Sequence, residues 1–200
     1  MIIPLIALLV GVAAGRLWLP AGWMDSVNLL ITISLSVVVF AAGVDVGEKK
    51  LVFRKLAEYR AKILLIPIGT VIGSVAFGSL LGILLGIPLN EAAAVSAGFG
   101  YYSLSAGILS DLAGANLGAL AFLANICREV LALVSIPFFA RYASYYTAIA
   151  PSGATSMDTT LGVISASTNE ETTVIAMFNG VLLTALVPVL VPLLYRCFPA

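Results

Sequence analysis

Long apolar stretches alternate with short polar, glycine- or proline-containing breaks along this chain. Most of these stretches are close to 20 residues long, which is about the length that an α-helix needs to cross a bilayer. Seven such stretches are present, at residues 2–19, 26–46, 63–87, 92–113, 117–140, 151–166 and 173–195. The pattern therefore predicts an all-α polytopic membrane protein with about seven transmembrane segments.

Two of the seven segments are predicted to be broken helices. The fourth contains Gly98 and Gly100 ahead of a hydroxyl-rich run, and the sixth is short, polar and contains Gly153. Unwinding a helix frees backbone groups that lipid cannot satisfy, so such stretches must face a cavity or each other. Segments two to four and five to seven start on opposite sides of the membrane, which permits an inverted repeat.

Composition agrees with a membrane location and removes several classes of function. Hydrophobic residues make up 61% of the chain and charged residues 10%, with a mean hydropathy of +1.11, whereas soluble domains carry about 25% charged residues. The net charge is zero, so no nucleic-acid partner is indicated. The chain has no histidine, the usual zinc ligand and proton shuttle. No metal or cofactor is expected.

Positive charge concentrates between the second and third segments. Residues 47–62 carry Lys49, Lys50, Arg54, Lys55, Arg60 and Lys62. Short basic loops stay on the cytoplasmic side, so this loop is predicted to be cytoplasmic. Counting outward from it places the N-terminus inside and the C-terminus outside, provided that the sixth segment crosses fully.

Asp158 is the most informative single residue. It lies in a polar stretch between two apolar segments, and a carboxylate at membrane depth costs roughly 2.5–3.5 kcal/mol on insertion scales. A functional acid is favoured over the alternative, a carboxylate that only caps a helix. Hydroxyl side chains from both interrupted segments are the candidate substrate-binding partners: Tyr101, Tyr102, Ser103, Ser105, Thr155, Ser156, Thr159 and Thr160.

Other polar residues leave alternatives open. Asp45 either marks the cytoplasmic interface or lines an inward-facing vestibule. Arg128 and Glu129, one turn after Asn125 in the fifth segment, form either a structural ion pair or a charge relay with Asp158. Asn179 is interpreted as an intramembrane hydrogen-bonding group whose role is packing.

Three groups of residues together resemble the lysine exporter family, formerly a domain of unknown function. They are residues 98–105, the Arg128–Glu129 pair and residues 153–161. The resemblance covers roughly residues 25–198 and is placed in the C-terminal portion of the family. It implies export of L-lysine from prokaryotic cells and assigns Asp158 to the acid of the second motif. Many members carry an additional N-terminal membrane segment, which a small subunit or a homodimer would supply here.

Three functions are compatible with these observations. The favoured one treats residues 1–200 as a single transmembrane transporter domain in the prokaryotic inner membrane. It exchanges lysine or a similar cationic amino acid for protons, and Asp158 binds the ammonium when ionised and releases it when protonated from outside. The chain has no GxxxxGK[ST] nucleotide loop, so ATP is not expected to drive it. The alternatives are a channel or partner subunit, and an intramembrane aspartyl protease using Asp45 and Asp158.

Overall fold

The structure is a computed structural model that describes residues 64–197 and, before them, residues 10, 26, 29, 30, 33, 34, 37, 40 and 44. The chain divides into two compact units, Met1–Ser34 and Leu35–Ala200, and every element named below belongs to the second. Apart from those single positions, the first two predicted segments lie outside the described residues. The basic loop 47–62 and Asp45 lie outside them as well.

Residues 64–197 are helical and contain no strand. The elements, in chain order, are α1 (Leu65–Leu84), α2 (Leu89–Ser96), α3 (Tyr102–Ala113), α4 (Ala115–Tyr142), the 3-10 helix η1 (Thr147–Met157), α5 (Leu161–Ser167) and α6 (Glu170–Cys197). In this part of the chain α1, α4 and α6 are long and apolar enough to cross a membrane. The prediction of an all-helical membrane protein is confirmed at this level, and the count of seven spans stays a prediction.

Local sequence explains where α1 ends. Gly86 adopts a left-handed backbone with φ 76°, and its N–H donates to the carbonyl of Ile83 at 3.0 Å. The next N–H, of Ile87, donates to Gly82 at 2.9 Å. This pair of bonds is the Schellman motif, which satisfies the last carbonyls of a helix. Pro88 then precedes α2 and prevents the first helix from continuing.

The start of α6 is capped by a side chain. The Oδ1 atom of Asn169 accepts a hydrogen bond from the N–H of Thr172 at 2.8 Å, and Glu170 and Glu171 occupy the first turn. Both features stabilise the positive end of a helix. Farther along, α6 contains Pro188 and Pro192, which membrane helices tolerate where neighbouring groups satisfy the freed backbone.

The central helix of the described part is α6. It packs against α2, α3, η1 and α5. More than half of the most apolar stretch of α6 is buried inside the protein, whereas only 17% of the corresponding stretch of α1 is buried. By contrast, α1 exposes large apolar side chains such as Ile72, Phe77 and Leu84, which suits contact with lipid. The interrupted segments therefore lie inside the bundle, between α4 and α6.

Candidate functional site at two crossing segments

The fourth predicted segment consists of two helices, α2 and α3, with a compact turn between them. The backbone at Phe99 and Gly100 has φ values of 47° and 92°, a region that residues with side chains rarely adopt. The N–H of Tyr101 donates to the carbonyl of Gly98 at 2.7 Å. Phe99 is fully buried, so this unusual turn is part of the packed interior.

Asn125, on α4, satisfies the backbone groups of this turn. Its Oδ1 atom accepts a hydrogen bond from the N–H of Gly100 at 2.7 Å. Its Nδ2 atom donates to the carbonyl of Val95 at 3.2 Å and, within α4, to that of Ala121 at 2.9 Å. A buried turn needs such partners because lipid offers none. The amide of Asn125 therefore holds the first interruption in place.

Ser105 is part of the hydrogen-bond network that holds the same turn. Its side chain is fully buried, and its hydroxyl donates to the carbonyl of Tyr101 at 2.9 Å and lies 3.3 Å from the Nδ2 atom of Asn125. An added Cβ at Gly98 would lie 2.5 Å from that nitrogen and 2.7 Å from the hydroxyl oxygen. Glycine at position 98 is thus required by the approach of the amide.

The sixth predicted segment is divided in a similar way. Inside η1 the backbone leaves helical geometry at Gly153, with φ 60° and ψ −128°. Asn179, on α6, donates through Nδ2 to the carbonyl of Gly153 at 3.1 Å and to the hydroxyl of Ser156 at 3.0 Å. Asn125 follows Gly100 by 25 positions and Asn179 follows Gly153 by 26. Each interruption is therefore braced by an asparagine on the long helix that follows it.

The two interruptions contact each other through their backbones. The N–H of Ala154 donates to the carbonyl of Phe99 at 2.8 Å. An added Cβ at Gly153 would lie 2.1 Å from that carbonyl oxygen, and one at Gly100 would lie 3.4 Å from the carbonyl oxygen of Ser152. At Gly153 only glycine permits this approach, whereas at Gly100 the φ of 92° favours glycine.

A cavity of about 90 Å³ lies beside the crossing. The described residues that line it come from the turn before α3 and its first residues, from η1 and the residues after it, and from α6: Gly100, Tyr101, Tyr102, Ser103, Ala154, Thr155, Met157, Asp158, Thr159 and Thr184. Asp158 and Thr159 are exposed, whereas Thr155 is buried. The cavity therefore combines one carboxylate, several hydroxyls and the N-terminal end of α3.

Thr155 and its neighbours give this wall a fixed shape. The Thr155 hydroxyl donates to the carbonyl of Ser152 at 2.8 Å. The Thr155 carbonyl accepts from the hydroxyl of Thr160 at 3.0 Å and from the N–H of Asp158 at 3.1 Å. The N–H of Thr159 donates to Oδ1 of Asp158. Backbone and hydroxyl groups thus position the carboxylate next to the cavity.

Arg128 holds the start of the second interrupted segment. Its guanidinium donates to the carbonyls of Pro151 at 3.2 Å and Ala150 at 3.4 Å, and to the hydroxyl of Ser74 on α1 at 2.7 Å. Within the described part of the chain it makes no ion pair with Glu129, so the structural pair considered from the sequence is not what forms. Successive residues of a helix point about 100° apart, which separates the two side chains.

Glu129 is buried instead. Its side chain is 1% exposed, and Thr159 lies close enough to interact with its carboxyl group. Its Oε2 atom has no hydrogen-bond partner among residues 64–197. Asp158 and Tyr102 lie close enough to interact electrostatically with it. Two acids from different elements, Glu129 and Asp158, therefore lie near Thr159.

Comparison with known proteins identifies the family. The family model described as Lysine exporter LysO matches residues 5–195. The chain belongs to the lysine exporter family. A Haemophilus influenzae protein named "Putative lysine exporter" is 31% identical over 196 residues, which cover 96% of each chain. Lysine exporter LysO of Escherichia coli is 31% identical over 158 residues, which are 79% of this chain and 52% of that protein. No solved structure matches.

The family match corrects one detail of the sequence interpretation. The motifs place the start of the resemblance near residue 25 and assign it to the C-terminal portion of the family. The family model instead begins to match at residue 5, and the Haemophilus relative aligns over almost its whole length. The difference arises because the three groups of residues that carry the resemblance all lie after residue 97.

The structure separates the residues predicted for the site of this exporter-family protein into two groups. Seven of them line the cavity: Gly100, Tyr101, Tyr102, Ser103, Thr155, Asp158 and Thr159. Ser105 and Ser156 are fully buried and hydrogen-bond to the residues around the two interruptions. Gly98, Gly100 and Gly153 lie at the interruptions themselves. Thr184 and Met157 also line the cavity and were missed, since neither stands out in an apolar sequence. A threonine in the middle of an apolar helix was the only available signal for Thr184.

Proposed function

We propose that this protein exports L-lysine and similar cationic amino acids across the membrane in exchange for protons. The observation that carries the proposal is that Asp158 and the N-terminal end of α3 line one cavity where two interrupted segments cross. Interrupted helices of this kind form substrate sites in secondary transporters, because their ends carry unsatisfied backbone groups. The names of both relatives support lysine as the substrate.

The ammonium and carboxylate groups of lysine match two features of the cavity, the carboxylate of Asp158 and the N-terminal end of α3. The carboxylate of Asp158 binds an ammonium group, and the threonine and tyrosine hydroxyls of the wall supply further acceptors. The N-terminal end of α3, at Tyr102 and Ser103, carries a partial positive charge and binds the substrate carboxylate. Such a site selects a zwitterion with an additional positive charge.

Release of lysine on the other side of the membrane requires a conformational change in this proposal. Movement around a fixed central site is the ordinary basis of alternating access.

Protons supply the energy in this proposal. The ionised site binds the lysine ammonium on the cytoplasmic side, and protonation of the site from outside releases it. The exchange needs at least one acid that gains and loses a proton during each cycle, and Asp158 is the acid that touches the cavity. Asp45, outside the described residues, is proposed to line the inward-facing vestibule.

The proposal includes the organisation of the protein in the membrane. Residues 1–200 act as one transmembrane transporter domain in the prokaryotic inner membrane. We propose seven crossings, with residues 92–113 and 151–166 as broken membrane helices, the basic loop 47–62 in the cytoplasm, and an inverted repeat. The proposed assembly is a homodimer or a complex with a small membrane subunit.

Transport by the purified chain in proteoliposomes tests the proposal. Vesicles loaded with unlabelled lysine should take up labelled lysine faster than empty vesicles, and an imposed pH gradient should drive net lysine movement. A channel gives flux without acceleration by loaded lysine. A protease, or a subunit that needs a partner, gives no flux at all, and either result would reject a self-sufficient exchanger.

A further inference from the structure

The asparagine on α6 and the backbone of both interrupted segments are joined by hydrogen bonds that run in one direction. The Nδ2 atom of Asn179 donates to the carbonyl of Gly153 at 3.1 Å. That carbonyl shares a peptide group with the N–H of Ala154, which donates to the carbonyl of Phe99 at 2.8 Å. A trans peptide group points its C=O and its N–H in opposite directions. The two bonds therefore form one chain that leads from α6 to the first interrupted segment.

The chain of amides continues to α4 in the same direction. The carbonyl of Phe99 shares a peptide group with the N–H of Gly100, which donates to Oδ1 of Asn125 at 2.7 Å. The Nδ2 atom of Asn125 donates onward to the carbonyls of Val95 at 3.2 Å and Ala121 at 2.9 Å. Two side-chain amides and two backbone amides are therefore aligned head to tail between α6 and α4.

This alignment makes each hydrogen bond of the chain depend on the others. In a poorly solvated interior, aligned amides polarise one another and strengthen the bonds between them. Both asparagines are buried, Asn125 at 3% exposure and Asn179 at 0%. Loss of either side chain leaves a backbone group of the crossing without its partner, and lipid offers no replacement. The two asparagines therefore support the same crossing from opposite ends.

The two backbone amides of the chain lie in opposite walls of the cavity. Gly100 lines it and is followed by the lining residues 101–103, and Ala154 lines it ahead of further lining residues up to position 159. A shift of either peptide group would move one wall relative to the other. The spacing of the two walls, and with it the geometry of the candidate lysine site, thus depends on the whole chain.

We infer that Asn125 and Asn179 are positioning residues that act as one unit and hold the two walls of the lysine site in register through this chain of amides. The role in lysine binding rests on the proposed function, whereas the coupling between the two interruptions does not. Neither asparagine is among the described residues that line the cavity, so each acts on lysine through the backbone that it binds. Removal of either one disturbs the interruption that it does not touch as well as its own.

Hydrogen exchange of the purified full chain, followed by mass spectrometry, tests the coupling without lysine. Asn179→Ala should speed exchange of residues 97–101 by about tenfold, although the Asn179 amide donates to the second interrupted segment. Asn125→Ala should speed exchange of residues 152–156 to a similar degree. Asn90→Ala, the same change at a buried asparagine of α2 outside the chain of amides, should leave both regions unchanged. Effects confined to the interruption that each asparagine contacts would overturn the inference.

Lysine binding, measured by calorimetry, provides the second readout. Each alanine substitution should weaken binding by about tenfold and the double variant by about the same factor, because a unit broken at one end loses little more at the other. A loss of about a hundredfold in the double variant, as expected of independent residues, would also overturn the inference.

Serine variants keep both measurements decisive. The hydroxyls of Asn125→Ser and Asn179→Ser can accept or donate one hydrogen bond, so they should recover part of the lysine affinity. They replace the alanine variants if either of those does not fold. A wild-type chain that binds no lysine would reject the proposed function, whereas hydrogen exchange would still decide whether the two interruptions are coupled.

Discussion

The backbone N–H of Ala154 donates to the carbonyl of Phe99 at 2.8 Å, across 55 positions of sequence. This bond joins the two interrupted segments at their breaks and leaves little room for a side chain at Gly153. The cavity with Asp158 lies beside it. The geometry of the candidate site therefore depends on this crossing as much as on the residues that line the cavity.

Replacing Asp158 by asparagine is predicted to abolish lysine export while the protein still folds. Asparagine keeps the shape, but it neither binds an ammonium by charge nor loses a proton. A hydrogen bond to a charged group is worth about 1.5–3 kcal/mol, so lysine binding should weaken by roughly ten- to a hundredfold. Counterflow measures this, with Asp111→Asn, an exposed acid on α3, as the control. Wild-type flux in a well-folded variant would show that Asp158 is not the binding acid.

Gly153→Ala is predicted to destabilise the protein and to reduce transport. Alanine is strained at φ 60° and ψ −128°, which costs about 1–3 kcal/mol, and its Cβ would lie 2.1 Å from the carbonyl oxygen of Phe99. Thermal unfolding in detergent checks this. The matched control is Gly162→Ala on α5, where no atom lies within 4 Å of an added Cβ and where alanine should stabilise by about 0.5–1 kcal/mol. Equal melting temperatures for the two variants would contradict the proposed crossing.

Asn125→Ala is predicted to loosen the first interruption. The substitution leaves the N–H of Gly100 and the carbonyl of Val95 without the amide that binds both, and each buried unsatisfied group costs about 1–3 kcal/mol. Hydrogen exchange of residues 97–101, followed by mass spectrometry, should become faster. Asn116→Ala, at an exposed position of the same helix, should leave exchange there unchanged. Unchanged exchange in Asn125→Ala would mean that the turn is held by other contacts.

Arg128→Lys is predicted to lower stability even though the charge is kept. The guanidinium binds two carbonyls and one hydroxyl on different elements, and a single ammonium does not reproduce that fork of donors. Loss of one such bond should cost about 1.5–3 kcal/mol, measured as a lower melting temperature in detergent. Arg141→Lys, exposed at the end of the same helix, is the control and should melt like the wild type.

A cysteine pair at Ser103 and Thr155 is predicted to crosslink after Cys127 and Cys197 are replaced. Both positions line the cavity, from different interrupted segments. A direct disulfide requires Cα atoms within about 7 Å, so a bifunctional reagent of roughly twice that reach is used alongside oxidation. Gel mobility reports the crosslink, and lysine should slow the modification. Failure of every such pair in a variant that still transports would place the two segments apart.

The sequence by itself determined the class of the protein and indicated several of the residues that line the candidate cavity. Continuous apolar stretches of membrane-spanning length leave a helical bundle in a bilayer as the solution that satisfies the backbone. Asp158 and the glycines at 98, 100 and 153 were recognisable because an acid and clustered glycines are unfavourable in an apolar helix unless they serve a purpose.

Only the tertiary structure decided which residues meet. Adjacency in sequence suggests a pair between Arg128 and Glu129, but the Arg128 guanidinium donates to Pro151 and Glu129 is buried elsewhere on the helix surface. Ser105 and Ser156 resembled the cavity hydroxyls until their burial beside Asn125 and Asn179 showed them to be braces. Contacts between residues 20 to 55 positions apart depend on how the segments cross. The sequence pattern of one segment shows which residues are buried but not which other segment they contact. These roles therefore depend on the tertiary structure.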